Sequence, residues 1–217
     1  MAVRSGQRLG AVIRVAFAAG VACVLTATLP TWAEEAGEPS AAELMDDLMW
    51  GRAPIGGPFD LVDHNGMART DTDFRGKLLL VYFGYTYCPD ICPTDLTAIG
   101  LTLDKLGSAG DAVQPLFITI DPERDTVDRL ANYVPFFHPR LIGLTGEEAA
   151  IRRVAHAYKV YYKKVGTSGS EDYVVDHTGF IYLVDPKGQY LGFFPAGTSA
   201  DRMAEFVGRR VAGPLAR

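Results

Sequence analysis

Residues Leu78 to Tyr85 form an unbroken run without a charged or amide side chain, and the run passes through Thr86 and Tyr87 straight into Cys88-Pro89-Asp90-Ile91-Cys92. A stretch that is apolar on both alternations suits a central strand covered on both faces. Such strands belong to parallel sheets flanked by helices, whose strand carboxyl ends are the usual functional edge. Leu96, Ile99, Leu103 and Leu106 then recur at helical spacing, with Gly107 as a stop, so a helix is expected from about Pro93. The two cysteines therefore stand where a buried strand hands over to a helix.

The rest of the pattern completes an α/β domain. Phe59 to Val62 reads as a strand entering a turn at Asp63-His64-Asn65-Gly66, with Asn-Gly supplying the positive φ angles of a tight hairpin. Leu116 to Ile120 is a second buried strand. Asp125 or Thr126 suits the cap of a helix carrying Leu130, Tyr133 and Val134. Leu141 to Leu144 is a short strand, and Glu147 to about Val160 a helix with Ile151, Val154 and Tyr158 inward. Residues 161 to 173 are polar and glycine-bearing, a hairpin or a mobile loop. Phe180 to Val184 and Tyr190 to Phe194 pair through the turn Asp185-Pro186-Lys187-Gly188, and a last helix starts near Ser199. Strand–helix–strand units give a parallel pair, and the late hairpin adds antiparallel strands. The expected architecture is a thioredoxin-like α/β domain over residues 54–217, with an N-terminal extension and an inserted loop or hairpin before the late strands.

Residues 1–33 have a different character. Arg4, Arg8 and Arg14 are the only charges, Val15 to Leu29 carries none, and Thr31-Trp32-Ala33 offers a small-x-small cleavage site. The segment reads as a secretory signal peptide. An uncleaved membrane anchor is the alternative, although an uncharged stretch of 15 residues is short against the roughly 20 that span a bilayer. A lipid-modified Cys23 fits less well, because Gly20 and Val21 precede it poorly. Each version places the folded part outside the cytoplasm, on the periplasmic face of the inner membrane. Removing the three arginines takes the formal net charge from −5 to −8, which disfavours a nucleic acid partner. Residues 34–53 form a linker in which Leu44, Met45, Leu48 and Met49 make an apolar stripe, read as a short helix packed on the domain before it is read as a copper-binding methionine pair.

Cleavage would leave Cys88 and Cys92 as the sole cysteines. A bridge closing so short a loop restrains little, so an active pair is expected over a structural staple. At a helix start the orphan amides lower thiol pKa, and both sulfurs are expected as thiolates near neutral pH. Redox exchange and metal binding both remain open. Dithiol exchangers use Cys-x-x-Cys and keep a proline opposite the pair. Here the spacing is one residue longer, and the facing stretch Val174-Val175-Asp176-His177-Thr178 has no proline. Soft thiolates with one imidazole suit copper, as Cu(I) with Cu(II) also open, whereas zinc would want a fourth ligand. Among the histidines, His64 reads as an exposed turn residue, His138 as a helix or loop end and His156 as a helix surface residue. His177 opens a core strand on the cysteine edge and is the favoured third ligand.

The chain resembles the Sco (SenC) family. Gly84-Tyr85-Thr86-Tyr87-Cys88-Pro89-Asp90-Ile91-Cys92-Pro93 is similar to its copper motif, Ile120-Asp121-Pro122-Glu123-Arg124-Asp125-Thr126 to a second signature, and Val175-Asp176-His177-Thr178 to its histidine motif; Gly56-Gly57-Pro58-Phe59 also fits. The resemblance spans about residues 54–210. It implies a copper chaperone that assembles the binuclear copper centre of cytochrome c oxidase subunit II. Cys88, Cys92 and His177 would be its ligands, and another periplasmic copper carrier is a candidate donor. Asp121 and Asp125 read as a strand-end turn and a helix cap. The competing reading is a thiol–disulfide reductase that maintains the cysteines of that centre. A peroxidase is a third, weakened because Thr86 precedes Cys88 by two positions where a peroxidase has three.

Overall fold

The computed structural model describes residues 45–46, 54–166 and 173–212. The signal or anchor reading of residues 1–33, Cys23, and most of the linker lie outside the described residues, as do residues 167–172. Met45 and Asp46 are helical. No helix among the described residues is long and apolar enough to cross a membrane.

From residue 54 on, the described residues form nine strands and four α-helices in the expected sequence. In order they are β1 (Asp60–Asp63), β2 (Ala68–Thr70), β3 (Leu78–Gly84), α1 (Ile91–Leu106), β4 (Val113–Thr119), α2 (Val127–Ala131), β5 (Ile142–Thr145), α3 (Glu148–Ala157), β6 (Tyr162–Gly166), β7 (Tyr173–His177), β8 (Ile181–Val184), β9 (Tyr190–Phe194) and α4 (Ala200–Val211). Seven strands form one sheet in the order β2-β1-β5-β4-β3-β8-β9, while β6 and β7 form a separate two-stranded sheet. β3 runs parallel to β4 and β4 to β5, whereas β8 and β9 are antiparallel additions. This is the thioredoxin-like arrangement anticipated from the sequence, with the insertion resolved as the β6–β7 hairpin.

All seven residues of β3 are buried. Even positions face α1, where Tyr82 and Gly84 approach Cys92; odd positions face the other layer, where the rings of Phe83 and Tyr158 lie 5.2 Å apart. Each large apolar side chain so buried stabilises the fold by about 1.5–3 kcal/mol relative to exposure, which makes β3 the most firmly held segment next to the cysteines. α1 packs beside α4, where Lys105 and Asp201 form an exposed ion pair at 2.7 Å.

Local details differ from the sequence reading for identifiable reasons. The first hairpin has a three-residue loop: Gly66 donates to Asp63 O at 2.9 Å, Asp63 donates to Met67 O at 2.8 Å, and only Gly66 has positive φ (79°). That is a type I turn closed by a left-handed glycine, so Asn65 needs no unusual angle. α1 begins at Ile91, two residues earlier than expected, because a proline is tolerated in a first turn whose amides lack helical partners anyway. Thr126, not Asp125, caps α2, its side chain accepting from Arg129 N. Asp125 is fully buried and accepts from Thr86 N (3.0 Å), Thr86 Oγ1 (2.6 Å) and Thr119 Oγ1 (2.7 Å), tying the end of β3 to the end of β4. His177 closes the hairpin strand β7; the core strand begins four residues later at Ile181.

Candidate metal centre

The site forms at the corner between β3 and α1. After Gly84 the chain turns through Tyr85-Thr86-Tyr87, with Cys88 N donating to Tyr85 O at 3.2 Å. Asp90 holds the cap position of α1 without a side-chain cap bond, and Cys88 Sγ lies 3.5 Å from Cys92 N as the acceptor for that amide. A sulfur placed before a helix amino end meets its orphan amides and dipole, which favour the thiolate.

Cys92 lies inside the first turn and is fully buried, while Cys88 is half-buried; both are free thiols. A Cβ on Gly84 would stand 2.9 Å from Cys92 Sγ and 3.0 Å from the rings of Phe117 and Tyr82. Gly84 therefore makes the room in which this sulfur packs. A glycine near the end of an otherwise bulky strand is the sequence signal for such a close approach. The motif that contains Gly84 does not by itself reveal this role.

His177 arrives from the hairpin. Its Nε2 is 3.5 Å from Cys92 Sγ, and its Nδ1 is 3.1 Å from Thr178 O. A carbonyl only accepts, so Nδ1 carries a proton and Nε2 is the ring nitrogen turned toward Cys92. The rings of Tyr82 and Tyr85 stand nearly perpendicular to the imidazole, with centroids at 6.4 and 6.0 Å and planes at 79° and 84°. The three donor atoms Cys88 Sγ, Cys92 Sγ and His177 Nε2 or Nδ1 all lie within 4.8 Å of one another, and this is the one such cluster found among the described residues. Two soft thiolates and an imidazole at that spacing can close on one soft ion.

The thiols are unequal. The Cys92 thiol beside it, with His177 and the amides of Asp90 and Cys92, outweighs burial and holds Cys88 far down, at about 3. The same neighbour and burial push Cys92 up. The metal-free pair thus shares one negative charge, which corrects the expectation of two thiolates: like charges this close in a dry corner oppose each other. A metal entering the site must displace the Cys92 proton.

The other histidines stand elsewhere. His64 is not a free turn residue: its N donates to Gly143 O at 2.9 Å and its Nδ1 accepts from Gly143 N at 3.2 Å, stitching the turn to β5. His138 Nδ1 accepts from Arg140 N at 3.1 Å beside Asp104, and burial lowers its pKa. His156 is exposed on α3. Asp121 contacts no member of the cluster; its carboxylate takes Arg124 Nε and the Tyr173 hydroxyl, each at 2.6 Å. Asp95, buried one turn along α1 from Cys92, accepts from Gly197 N at 2.9 Å and so fastens the loop after β9 to the helix; burial raises its pKa.

Fold and site together define a thioredoxin-like domain whose strand–helix corner carries a Cys-Cys-His cluster fit for a soft metal. The chain belongs to the SCO1/SenC family, whose model matches residues 49–212. Among its relatives, the human protein SCO2 homolog, mitochondrial, is 43% identical over 164 residues, covering 74% of this chain and 62% of its own. The human protein SCO1 homolog, mitochondrial, is 47% identical over 146 residues, covering 66% of this chain and 48% of its own. The chain thus spans about half to three-fifths of the length of these relatives. Bradyrhizobium japonicum ScoI, solved with copper bound, is 45% identical with a TM-score of 0.67, covering 71% of this chain and 98% of that one.

Proposed function

We propose that this protein is a copper chaperone for cytochrome c oxidase assembly, carrying copper on Cys88, Cys92 and His177. The observation that carries the reading is the convergence of three soft-metal donors within 4.8 Å, on a corner where Cys88 is half-buried and Cys92 wholly so. The copper-bound relative supports it. With both sulfurs ionised, two thiolates, one imidazole and Cu(I) sum to a single negative charge beside a helix amino end, which the helix dipole favours. Zinc would be left one ligand short.

Delivery is a ligand exchange. An incoming partner thiolate reaches the copper from the Cys88 side, the copper–Cys88 bond is replaced by a copper–partner bond, and His177 leaves as the second partner ligand arrives. The copper–Cys92 bond breaks last, once both partner ligands are in place; copper keeps its oxidation state throughout, Cys88 is left as the thiolate and Cys92 regains a proton. The receiving site is the binuclear copper centre of cytochrome c oxidase subunit II, the donor is another periplasmic copper carrier, and residues 1–33 direct or tether the domain to the periplasmic face of the inner membrane. Anaerobic titration of the reduced protein is expected to bind one equivalent of Cu(I), weakened in His177→Ala; absence of binding sinks the reading.

The unequal thiols favour one second reading, a thiol–disulfide reductase, since a low-pKa thiolate beside a protonated partner is also how exchangers attack disulfides. That role needs both cysteines but not the imidazole. A His177→Ala strain that assembles oxidase normally while Cys88→Ser fails would establish it in place of copper carriage.

A further inference from the structure

The β6–β7 hairpin shares no ladder with the seven-stranded sheet, yet its last residue is His177. Something other than backbone pairing must place it. Side chains alternate along a strand, so Tyr173, Val175 and His177 share one face. That face points inward: Val175 is buried, and His177 reaches the cysteines. Four residues before His177, about 13 Å along the strand at ordinary rise, Tyr173 makes a dense set of polar contacts. Its hydroxyl donates to Asp121 Oδ1 at 2.6 Å, its carbonyl accepts from Arg124 Nη1 at 3.0 Å, and the Arg124 guanidinium lies 3.6 Å from the centroid of its ring. Asp121 is fully buried just after β4, and its other oxygen takes Arg124 Nε. The contact is thus anchored on the central sheet through a largely buried ion pair, where charge-assisted bonds are strongest.

We propose that Asp121, Arg124 and Tyr173 form a latch that fixes the hairpin and thereby sets how often the His177 imidazole completes the metal cluster, with Tyr173 as the positioning residue. Metal–nitrogen bonds tolerate only about 0.2 Å of misplacement, so a hairpin tethered at one end alone spends time with Nε2 out of range. Closing the latch retains the ion; opening it, as a docking partner would by displacing the hairpin, removes one of three ligands. Lys164 adds an exposed pair to Glu123 at 2.6 Å, of the weak surface kind, and lies at longer range over the latch, 4.0 Å from Asp121 Oδ1 and 4.8 Å from the centroid of the Tyr173 ring.

The inference rests on the copper reading, and its test separates the two. Tyr173→Phe removes the hydroxyl and keeps the ring over Arg124, so folding is retained where Asp121→Ala would orphan a buried guanidinium. In the metal-free full chain, β7 amide hydrogen exchange is expected to quicken roughly tenfold, the size expected for losing one hydrogen bond to a carboxylate. With metal, Tyr173→Phe is expected to lower Cu(I) affinity about fivefold, short of the loss on deleting the imidazole itself, and to reduce the imidazole nitrogen signature in the EPR spectrum of the Cu(II) form. In a His177→Ala background the same substitution should change affinity less than about twofold, since no imidazole remains to be positioned. Unaltered β7 exchange overturns the latch whatever the metal result, and an equal affinity loss in both backgrounds overturns it as a merely structural effect. Copper binding unaffected by His177→Ala alone would count against the three-ligand site itself and take the latch's role with it.

Discussion

Cys88 and Cys92 belong to the β3–α1 corner, His177 to the β6–β7 hairpin, and the two regions are held by different forces. The corner is built from apolar burial: β3 is buried along its length, Leu96, Ile99 and Leu103 seal α1 against it, and Gly84 leaves room for one sulfur. Among its described residues the hairpin has one buried side chain, Val175, and it relies on oriented polar contacts to Asp121 and Arg124. Burial is non-directional and cooperative with the whole core, whereas polar contacts are few and separately breakable. A carrier benefits from that asymmetry, because its firm half keeps the ion while its loose half decides when to let go.

The widest test of this contrast compares ligand deletions. Structural metal sites with four ligands are worth about 10–16 kcal/mol, or roughly 3 kcal/mol per ligand. Cys92→Ser is expected to weaken Cu(I) binding by more than about a hundredfold on that scale, since the remaining donors cannot enclose the ion. His177→Ala should cost less, about tenfold, because part of the imidazole's contribution goes into ordering the hairpin. Competition with a chromophoric Cu(I) chelator measures both, and equal losses would erase the distinction between the halves.

Gly84→Ala probes the firm half without touching a ligand. The new Cβ meets Cys92 Sγ and two ring carbons at 2.9–3.0 Å, and none of these is the end of a flexible chain. Overpacking of this kind costs about 1–3 kcal/mol, a fall in melting temperature of about 2–4 °C for each kcal/mol in a domain of this size. Copper affinity should fall with it as the sulfur is displaced. Thermal unfolding of the metal-free protein together with the chelator assay checks both; an unchanged melting point would show that the corner is less tightly packed than the geometry states.

The firm half was legible in the sequence and the loose half only partly so. An all-apolar strand followed by a helical stripe defines a buried corner through periodicity alone, which is why β3, α1 and the cysteine pair fall where they do. The start of α1 at Ile91 escaped because Pro93 looked like a first residue when it is the third. His177 was placed by its motif, yet the element carrying it was misread, since Val174, Val175 and His177 look like the opening of a core strand. What distinguishes β7 is its partner β6, whose exposed Lys163 and Lys164 carry no apolar period. Tyr173 is 49 residues from Arg124 and 52 from Asp121, and no local pattern announces a contact of that range. Asp125 was read as a cap because capping is the common role of an aspartate before a helix, and only the fold shows three hydroxyl and amide donors converging on it.

The pH response of the metal-free protein sharpens the contrast further. Cys88 has a folded pKa of about 3 against an ordinary thiol value near 9. Between those values the unfolded chain holds a proton that the folded one has released, so stability rises with pH through this window and is lost as pH falls toward 3. Cys92 is shifted the other way, so above about pH 9 its retained proton makes stability decline. Urea unfolding at pH 5 and pH 8 is expected to show higher stability at pH 8, with the difference reduced in Cys88→Ser. Iodoacetamide at pH 6 should label Cys88 well ahead of the buried Cys92. A Cys88→Ser protein with the same pH slope as the parent would assign the slope to other groups.

The smallest effects are expected from the three histidines that lie outside the cluster. His64→Ala removes an acceptor for Gly143 N, which costs about 1 kcal/mol of stability and loosens the join of the first hairpin to β5. His138→Ala loses its bond with Arg140 N and its contact with Asp104, and His156→Ala changes an exposed helix position. None of these side chains is a member of the Cys88, Cys92 and His177 cluster, so each variant should bind Cu(I) within about twofold of the parent, well inside the factor of ten that 1.4 kcal/mol represents. His64→Ala is the most instructive of the three, because it separates stability from binding: its melting temperature should drop while its copper affinity holds. A tenfold loss of affinity in that variant would mean that strain at the far edge of the sheet reaches the ligands, and the corner would then have to be described as coupled to the whole sheet and not as a locally packed unit.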